Sequence, residues 1–154
     1  MIEWRVEMAV GVPSIDEDHK VLISIINEFE CCQTLTCAEN TAKKLFNYTK
    51  SHFKREEMLL ESFHYTGVDT HHRGHDHITN KLKSIINGAF LKKENPDNII
   101  ISEITELMRT WVLNHVIGHD LKMKPFFKKA MGNKSDESSI PTLVKLAEVY
   151  ALHP

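Results

Sequence analysis

Four stretches of the chain carry apolar residues at helical spacing, and proline interrupts none of them. The first begins after Pro13, where Ser14 is predicted to cap a helix with Glu17 three residues on, and it reaches about Gln33. Its apolar positions are Ile15, Leu22, Ile25, Ile26 and Phe29. This spacing predicts an amphipathic helix with one face toward a core.

Three more helices are predicted along the chain, and no stretch shows the period-two alternation of a strand. Their predicted bounds are Ala38 or Glu39 to about Phe63, a third stripe from His71 to Ala89, and Asp97 to Gly118. Short connections between four helices favour antiparallel neighbours. We therefore expect an all-α fold, an up-down-up-down four-helix bundle formed by residues 1–131.

The last part of the chain, residues 132–154, differs in composition from the bundle. Residues 132–139 are rich in Ser, Asp and Lys and are predicted to form a polar linker. Beyond them, Leu143, Leu146, Ala147 and Tyr150 share one side of a short C-terminal tail helix. We expect this helix to pack on the outside of the bundle, and binding of a protein partner or self-association through it stays open.

The charge balance argues against nucleic acid and membrane partners. Nineteen Lys and Arg against twenty-one Asp and Glu give a net charge of −2, and no basic run could follow a phosphate backbone. Residues 1–5 carry charges where a secretory signal peptide is apolar, and no apolar stretch approaches the roughly 18 residues of a membrane helix. We therefore expect a cytoplasmic protein.

Three cysteines, Cys31, Cys32 and Cys37, lie close together between the first two predicted helices. Their spacing offers no repeated pair typical of a metal site, and an odd count does not indicate a disulfide framework. We expect all three to be reduced residues that are buried or half-buried.

Histidine is unusually abundant, with ten in 154 residues. Residues three or four apart share a helix face, at angles of about 60° and about 40°. By this spacing the four apolar stripes carry, in order, His19; His52 with Glu56; His71 with His75; and His115. These groups lie early in the first and third helices and late in the second and fourth, so they meet at one end of an up-down bundle.

Each of these histidines also has a plain structural interpretation. A lone histidine on an apolar stripe, such as His19 or His115, is more often a hydrogen-bonded core residue than a ligand. The pair His52 and Glu56 is typical of an exposed helix face. Four groups that agree in face and in depth are harder to explain this way, because burying them without partners costs on the order of several kcal/mol. The pattern favours a metal as the compensating partner.

Adding Asp120 gives seven candidate ligands, which is too many for one tetrahedral zinc. Two octahedral metals offer twelve positions; five imidazoles, two bridging carboxylates and a bridging oxide or hydroxide fill eleven and leave one for a small ligand. An imidazole-rich set without thiolate suits iron. The excess of histidine over carboxylate, compared with ferritin-like di-iron sites, favours binding dioxygen over cleaving it.

These residues stand in four motifs that resemble the hemerythrin family, in particular its single-domain bacterial members. The motifs are VGVPSIDEDHK from Val10, HFKREE from His52, HHRGH from His71 and WVLNHVIGHD from Trp111. The resemblance covers about Trp4 to Ala130 and implies a pair of iron ions with a bridging oxide or hydroxide. It assigns one iron to His71, His75 and His115, the second to His19 and His52, and the bridging carboxylates to Glu56 and Asp120.

The resemblance also implies a function, which is reversible binding of dioxygen at the open position of the second iron for carriage, storage or delivery. Two alternatives stay open: a sensor of oxygen or redox state, and an enzyme that handles peroxide or nitric oxide. A sensor usually needs an attached output domain, and we identify no proton donor of the kind an enzyme would need beside the open position. We therefore expect a binding protein, not an enzyme.

Two positions depart from the expected pattern. Asp120 follows His115 by five residues, about 140° round a regular helix, so it reaches the His115 face only if the helix widens or breaks near Gly118. His119 has the regular spacing, but we favour Asp120 because a second bridging carboxylate completes the ligand count. Ile78 stands where the family often has an aromatic residue, and we expect the smaller side chain to loosen the pocket.

The remaining histidines and the nearby apolar residues receive plain interpretations. We predict surface positions for His64, His72, His77, His119 and His153. We interpret as core, and not as a tuned pocket wall, the side chains of Ile23, Phe53, Ile78 and Trp111.

Overall fold

The computed structural model describes residues 1–32, 34–91 and 97–132, so the tail helix and all of the linker beyond Gly132 lie outside the described residues. The helices are α1 (Pro13–Cys31), α2 (Leu35–Ser62), α3 (Val68–Leu91), α4 (Asp97–Thr110) and α5 (Lys124–Gly132). A π-helical segment, Trp111–Val116, continues α4, and a 3-10 turn, Asp120–Met123, precedes α5. The predicted all-α four-helix bundle is confirmed, and no strand occurs in the part of the chain described.

α2 is the central element of the bundle. It packs against α1, α3 and α4, and α3 also packs against α4. α1 ends at Cys31 and α2 begins at Leu35, and residues 63–67 connect α2 to α3; these short separations make α1, α2 and α3 alternate in direction. None of the described helices combines the length and the apolar character needed to cross a bilayer.

The start of α1 differs from the predicted cap. Pro13 occupies the first helical position, where its fixed φ suits the helix, so Ser14 falls inside the first turn with a buried hydroxyl that makes no hydrogen bond to the described residues. Asp16 fastens the start of the helix instead. Its carboxylate accepts hydrogen bonds from the backbone N–H groups of Val10 (2.7 Å) and Gly11 (3.2 Å).

The cysteines differ from the prediction in the pairing of two of them and in the exposure of Cys31, although Cys31 is a free thiol as expected. Cys32 and Cys37 form a disulfide across the connection between α1 and α2, with Cα atoms 6.1 Å apart, and Cys31 is an exposed free thiol. Thr34 caps α2 by accepting a hydrogen bond from the backbone N–H of Cys37 at 3.2 Å. This cap starts α2 at Leu35, earlier than predicted, and brings Cys37 back toward the end of α1.

The disulfide has a direct chemical test. Thiol titration of the unfolded chain should find one free thiol before reduction and three after it. Because the bridge closes a short loop, the Cys37→Ser variant should lose about 2 kcal/mol of unfolding free energy, measured in urea. The Cys31→Ser variant is the control and should unfold as the parent does. Three free thiols in the unreduced protein would contradict the pairing.

Two apolar clusters fill the bundle, and the candidate ligands lie between them. The large cluster occupies the middle of the bundle and includes Leu22, Phe53, Ile78 and Val116. The small cluster consists of Val10, Val12, Ile15, Leu59, Leu60, Met123 and Phe127. His19 lies between the two clusters along α1, and Glu56 lies between them along α2. The candidate ligands therefore interrupt each apolar stripe near one end of the bundle. Together they form a polar layer, which consists of His19, His52, Glu56, His71, His75, His115 and Asp120.

α5 lies beyond Gly118, where the fourth helix was predicted to end. Phe127 of α5 and Met123 of the preceding turn are fully buried in the small cluster. The ring of Phe127 contacts the ring of Phe63 edge to face at a centroid distance of 5.9 Å. α5 thus extends the small apolar cluster beyond the polar layer.

The N-terminal residues run along α1 as an arm. Ile2 exchanges two hydrogen bonds with the side chain of Asn27, at 2.7 and 2.8 Å. The terminal ammonium group pairs with Glu30 at 2.7 Å, and the Lys20 ammonium group lies 5.7 Å from the centre of the Trp4 ring. These contacts place Trp4 beside α1, with its ring 6.4 Å from that of His19.

Candidate metal centre

The structure brings all seven candidate ligands together in the polar layer. None of them is more than 3% exposed, and the set is His19, His52, Glu56, His71, His75, His115 and Asp120. α1 and α2 contribute the first three, α3 the next two, and the segment after α4 the last two. The predicted agreement in face and depth is therefore observed as a spatial cluster.

Glu56 lies at the centre of the layer. Its Oε2 atom is 3.1 Å from Nε2 of His71, 3.1 Å from Nε2 of His75 and 3.9 Å from Nε2 of His52. Potential ligand atoms form two groups in which all atoms lie within 4.8 Å of one another: Glu56, His71, His75 and His115; and His19, His52 and Glu56. Glu56 belongs to both groups, so one carboxylate lies between two sets of imidazoles.

Asp120 lies near histidines of both groups. Its Oδ2 atom is 3.2 Å from Nε2 of His19, and its Oδ1 atom is 3.4 Å from Nε2 of His115 and 3.8 Å from Nε2 of His71. Each carboxylate oxygen therefore faces a different group, which is the arrangement of a bridging ligand. Neither Asp120 nor His119 belongs to either group at the 4.8 Å distance, but Asp120 is fully buried beside both groups, whereas His119 is only half-buried.

The helix widens just before Asp120, as the five-residue spacing between His115 and Asp120 requires. Residues 111–116 form a π-helical segment, in which each turn holds more residues than in an α-helix, and a short turn then leads to Asp120. The condition stated from the sequence, a helix that widens or breaks near Gly118, is met. Asp120 is fully buried beside His115 as a result.

Two glycines allow close approaches at this point. A Cβ atom on Gly118 would collide with the backbone carbonyl oxygen of Asn114. A Cβ atom on Gly74 would lie 3.2 Å from Nδ1 of His115, which is tighter than an ordinary contact. These glycines let the chain turn sharply after the π-helical segment and let α3 lie close to the His115 ring.

Replacing Gly118 with Ala should disturb the position of Asp120. We expect the Gly118→Ala variant to bind less iron and to lose about 1–3 kcal/mol of unfolding free energy, because the added Cβ displaces the backbone that leads to Asp120. Gly88→Ala, in α3, is the matched control, since a Cβ atom added at Gly88 would meet no neighbouring side chain or helix within 4 Å. Iron content and urea unfolding measure both effects. Equal behaviour of the two variants would contradict the role given to Gly118.

The two carboxylates have opposite electrostatic environments. Burial favours a raised pKa for Glu56, but the imidazoles of His52, His71 and His75 outweigh it and hold the pKa well below its usual range. Burial, and next the charge on Glu56, raise the pKa of Asp120 well above its usual range. Both carboxylates can therefore be ionised together only when a cation compensates them.

The imidazoles also differ from one another. Burial lowers the pKa values of His19 and His115, which keeps these two rings neutral, the form that binds a metal. Burial acts in the same direction on His75, but the carboxylates of Glu56 and Glu57 outweigh it and raise the pKa of His75 to about 9. A metal that binds His75 therefore displaces a proton from it.

Several donor atoms in the layer are buried and make no hydrogen bond to the described residues. They are Nε2 of His19, His52 and His115, Oε1 of Glu56, and both carboxylate oxygens of Asp120. Buried polar atoms without partners are rare in folded proteins because each one costs free energy. Nitrogen and carboxylate donors of this kind fit iron, and two overlapping groups fit a pair of ions.

Carboxylates outside the polar layer contact the Nδ1 atoms of two of its histidines, His52 and His75. The Asp18 carboxylate lies 3.2 Å from Nδ1 of His52 and accepts hydrogen bonds from Arg55, at 2.7 and 2.9 Å, and from the Tyr48 hydroxyl, at 2.7 Å. His52 and these neighbours lower the pKa of Asp18, against the effect of burial. An ionised carboxylate behind a histidine orients the ring and directs its other nitrogen at a metal.

Sequence reasoning did not find this network, because Asp18 and Arg55 lie off the apolar stripes. The signal that could have found it is opposite charge directly beside a candidate ligand on two neighbouring helices. Glu57, also missed, lies 2.6 Å from Nδ1 of His75 in the same relation.

The Asp18 network predicts a loss of metal affinity without loss of the fold. The Asp18→Asn variant should bind iron about 10-fold to 100-fold more weakly, because His52 loses the charge that orients it. Glu17→Gln is the control, since Glu17 is exposed and, among the described residues, pairs with Lys20 at 3.0 Å. Competition with a chelator measures both affinities. An unchanged affinity of the Asp18→Asn variant would show that His52 needs no such support.

The other histidines lie outside the polar layer. His64 and His77 are exposed, whereas His72 and His119 are half-buried, and His153 lies outside the described residues. The surface prediction is therefore only partly right. His119 is half-buried because its ring stacks beside that of His115, with a centroid distance of 5.8 Å.

A small apolar cavity of about 10 Å³ lies beside His19. Its lining consists of Met8, His19, Leu22, Ile23, Ile26, Trp111, Val116 and Ile117. Ile23 and Trp111 are buried core residues, as predicted, and they also line this cavity. Ile78 is buried in the large cluster and does not line this cavity, so the expected loosening of the pocket stays a prediction.

Comparison with known proteins identifies the family to which the chain is similar. A family model described as "Hemerythrin HHE cation binding domain" matches residues 10–127. Bacteriohemerythrin from Stenotrophomonas maltophilia is 24% identical over 123 residues, 78% of this chain and 77% of that protein. Myohemerythrin from Theromyzon tessulatum is 28% identical over 122 residues, 79% of this chain and 90% of that protein.

A third relative gives a similar result. Bacteriohemerythrin from Clostridium acetobutylicum is 27% identical over 127 residues, which cover 78% of this chain and 96% of that protein. The family match spans most of the chain and includes all seven residues of the polar layer. The chain therefore belongs to the hemerythrin family.

Proposed function

We propose that this protein binds dioxygen reversibly at a non-heme di-iron centre, and that it carries, stores or delivers dioxygen. Membership in the hemerythrin family supports the coarser statement, an oxygen-binding role at such a centre. The observation that carries the proposal is the Glu56 carboxylate, which belongs to two buried donor groups beside an apolar cavity. The cytoplasm remains the predicted compartment.

The seven residues of the polar layer would hold the two ions. His71, His75 and His115 form one set of donors, His19 and His52 form the other, and Glu56 and Asp120 lie between them. When bound, a pair of irons supplies electrons to a small ligand and a position for it to occupy. The set with two imidazoles has one donor fewer, so we assign the open position to the side of His19 and His52.

The surrounding residues would exclude water from that position. The cavity next to His19 is lined by apolar side chains from α1, from the segment after α4 and from the N-terminal arm. An apolar enclosure disfavours charged molecules and admits a neutral diatomic without a desolvation cost. The buried layer and its cavity therefore suit a neutral ligand that must be released unchanged.

The alternatives predict different behaviour of the purified protein. An enzyme that handles peroxide or nitric oxide would consume its substrate steadily. A sensor would change its association with a partner or with a second copy, through the C-terminal tail, when oxygen is added. The apolar lining of the cavity favours binding over turnover.

The test is a count of iron per chain together with visible spectra while oxygen is added and removed. We expect two irons and an absorption band that appears with oxygen and disappears under vacuum over repeated cycles. Bound iron without a reversible band, or sustained consumption of peroxide or nitric oxide, would refute reversible binding. Absence of iron after loading would refute the centre itself.

A further inference from the structure

The disulfide between Cys32 and Cys37 lies at the surface, far from the polar layer. Cys32 is exposed and Cys37 is half-buried, so a reductant in solution can approach the bridge. Cys31, the last residue of α1, follows His19 by twelve residues, which is about 18 Å along the helix axis. The metal centre therefore does not explain why this bridge is present.

The two sulfur atoms of the bridge stand at helix ends of opposite polarity. Cys32 is the C-cap of α1, where the last backbone carbonyl groups carry partial negative charge. Cys37 is the third residue of α2, where the first backbone N–H groups carry partial positive charge. The first turn of α2 contains no acidic residue that would oppose this effect. A thiolate is therefore stabilised at Cys37 and disfavoured at Cys32.

This asymmetry determines how the bridge reacts with a thiol. Exchange is fast when the attacked sulfur is accessible and when the departing sulfur is stable as a thiolate. Cys32 is the more exposed of the two residues, and Cys37 is the better leaving group. Both criteria therefore select Cys32 for attack and Cys37 for departure.

The predicted compartment gives such a bridge a chemical meaning. In the cytoplasm thiols are kept reduced, and the disulfides that do form there are usually transient and either catalytic or redox-sensing. Exposed disulfides belong to the labile class, whereas structural ones resist reduction. The exposure of Cys32 places this bridge in the labile class.

We propose that the bridge between Cys32 and Cys37 is a thiol–disulfide exchange site whose substrate is a dithiol. One substrate thiolate attacks the Sγ atom of Cys32, the bond between the two cysteines breaks, and Cys37 leaves as a thiolate that takes up a proton. The second substrate thiolate attacks the substrate sulfur of this mixed disulfide and releases Cys32 as a thiol. Two electrons and two protons pass to the chain, and the substrate leaves as a disulfide.

The reverse sequence, with a disulfide as the substrate, reoxidises the chain. This second redox site does not rest on the proposed function, because no step of the exchange involves the polar layer. It gives the bundle a two-electron exchange with thiols at the end opposite the candidate metal ligands.

Reduction of the folded protein tests the site. The full-length Cys31→Ser variant is used, because it keeps the bridge and removes the neighbouring free thiol. Dithiothreitol should release two thiols while the helical circular dichroism stays unchanged. Release only at urea concentrations that unfold the chain, or a parent protein purified without reductant that already has three free thiols, would overturn the proposal. The same assay with a dithiol reductase distinguishes a protein substrate from a small one by rate, and either substrate supports exchange.

Trapping the mixed disulfide tests the direction of attack. Reduced glutathione has a single thiol, so in the same Cys31→Ser variant the exchange stops after its first step and can be quenched with acid. Peptide mass spectrometry should find glutathione on Cys32. Attachment to Cys37 would overturn the assigned direction.

A charge placed beside Cys37 tests the role of the helix end. Thr36 is exposed and is the second residue of α2, so the Thr36→Asp variant puts a carboxylate next to the departing thiolate. Its reduction by dithiothreitol should be about twofold to fivefold slower than that of the matched Thr36→Asn variant. Aspartate in a first turn favours the helix, so unfolding does not explain a slower rate. Equal rates would overturn the assignment of Cys37 as the leaving group.

All of these measurements are made on metal-free protein. Failure of the exchange site is therefore recognised separately from failure of the proposed function, which concerns bound iron and dioxygen.

Discussion

The Glu56→Ala variant should lose iron from both donor groups at once, falling from two irons per chain to well below one. Glu56 belongs to both groups, and its Oε2 atom lies 3.1 Å from the Nε2 atoms of His71 and His75. Removing it takes a negative charge from between two cations and one bridging oxygen donor from each. Iron analysis after gel filtration measures the loss.

Replacing each of two neighbouring glutamates should weaken iron binding less than replacing Glu56. Glu57→Ala removes the partner of His75 Nδ1 and should weaken iron binding about 10-fold to 100-fold, without abolishing it. Glu61→Ala, at a side chain that is 62% exposed, should have no effect. An order other than Glu56, Glu57, Glu61 would mean that the shared carboxylate is not the centre of the site.

The second large effect is expected at Asp120, compared with His119. The Asp120→Asn variant should bind far less iron than the parent, because an amide cannot supply the bridging charge, whereas the His119→Ala variant should keep both irons. Burial and the charge on Glu56 raise the pKa of Asp120, so the neutral amide resembles the protonated acid of the metal-free protein. Metal-free Asp120→Asn should therefore unfold at nearly the same urea concentration as the metal-free parent.

Comparing the Asp120→Asn and His119→Ala variants with the parent distinguishes an effect on iron binding from an effect on the stability of the fold. Iron per chain and urea midpoints, measured on both variants and on the parent, provide the data. If the His119→Ala variant lost iron and the Asp120→Asn variant retained it, His119 would be the ligand and the path through the π-helical segment would have been assigned wrongly.

Helical spacing was sufficient to predict the faces and the depth of the candidate ligands. His19 and Glu56 lie between two apolar clusters because the stripes that carry them are apolar on both sides of each polar position. Spacing also indicated the problem at Asp120, since five residues do not return to the same face of an α-helix. The π-helical segment widens the helix locally, so that Asp120 reaches the face of His115. The spacing of residues shows that such a widening is needed, but it does not show where the widening occurs.

Other features depend on contacts between distant residues, and the sequence pattern does not contain them. Asp18 supports His52 across two helices, although it lies off the apolar stripe of its own helix. Cys32 and Cys37 meet because a Thr34 cap starts α2 early, whereas the cysteine count alone indicated free thiols.

The di-iron centre is tested most directly by anomalous diffraction at the iron absorption edge from crystals of the iron-loaded protein. We expect two peaks per chain, roughly 3.5 Å apart. One should lie among His71, His75 and His115, the other beside His19 and His52, with Glu56 and Asp120 touching both. A single peak, or peaks located outside this layer, would contradict this expectation.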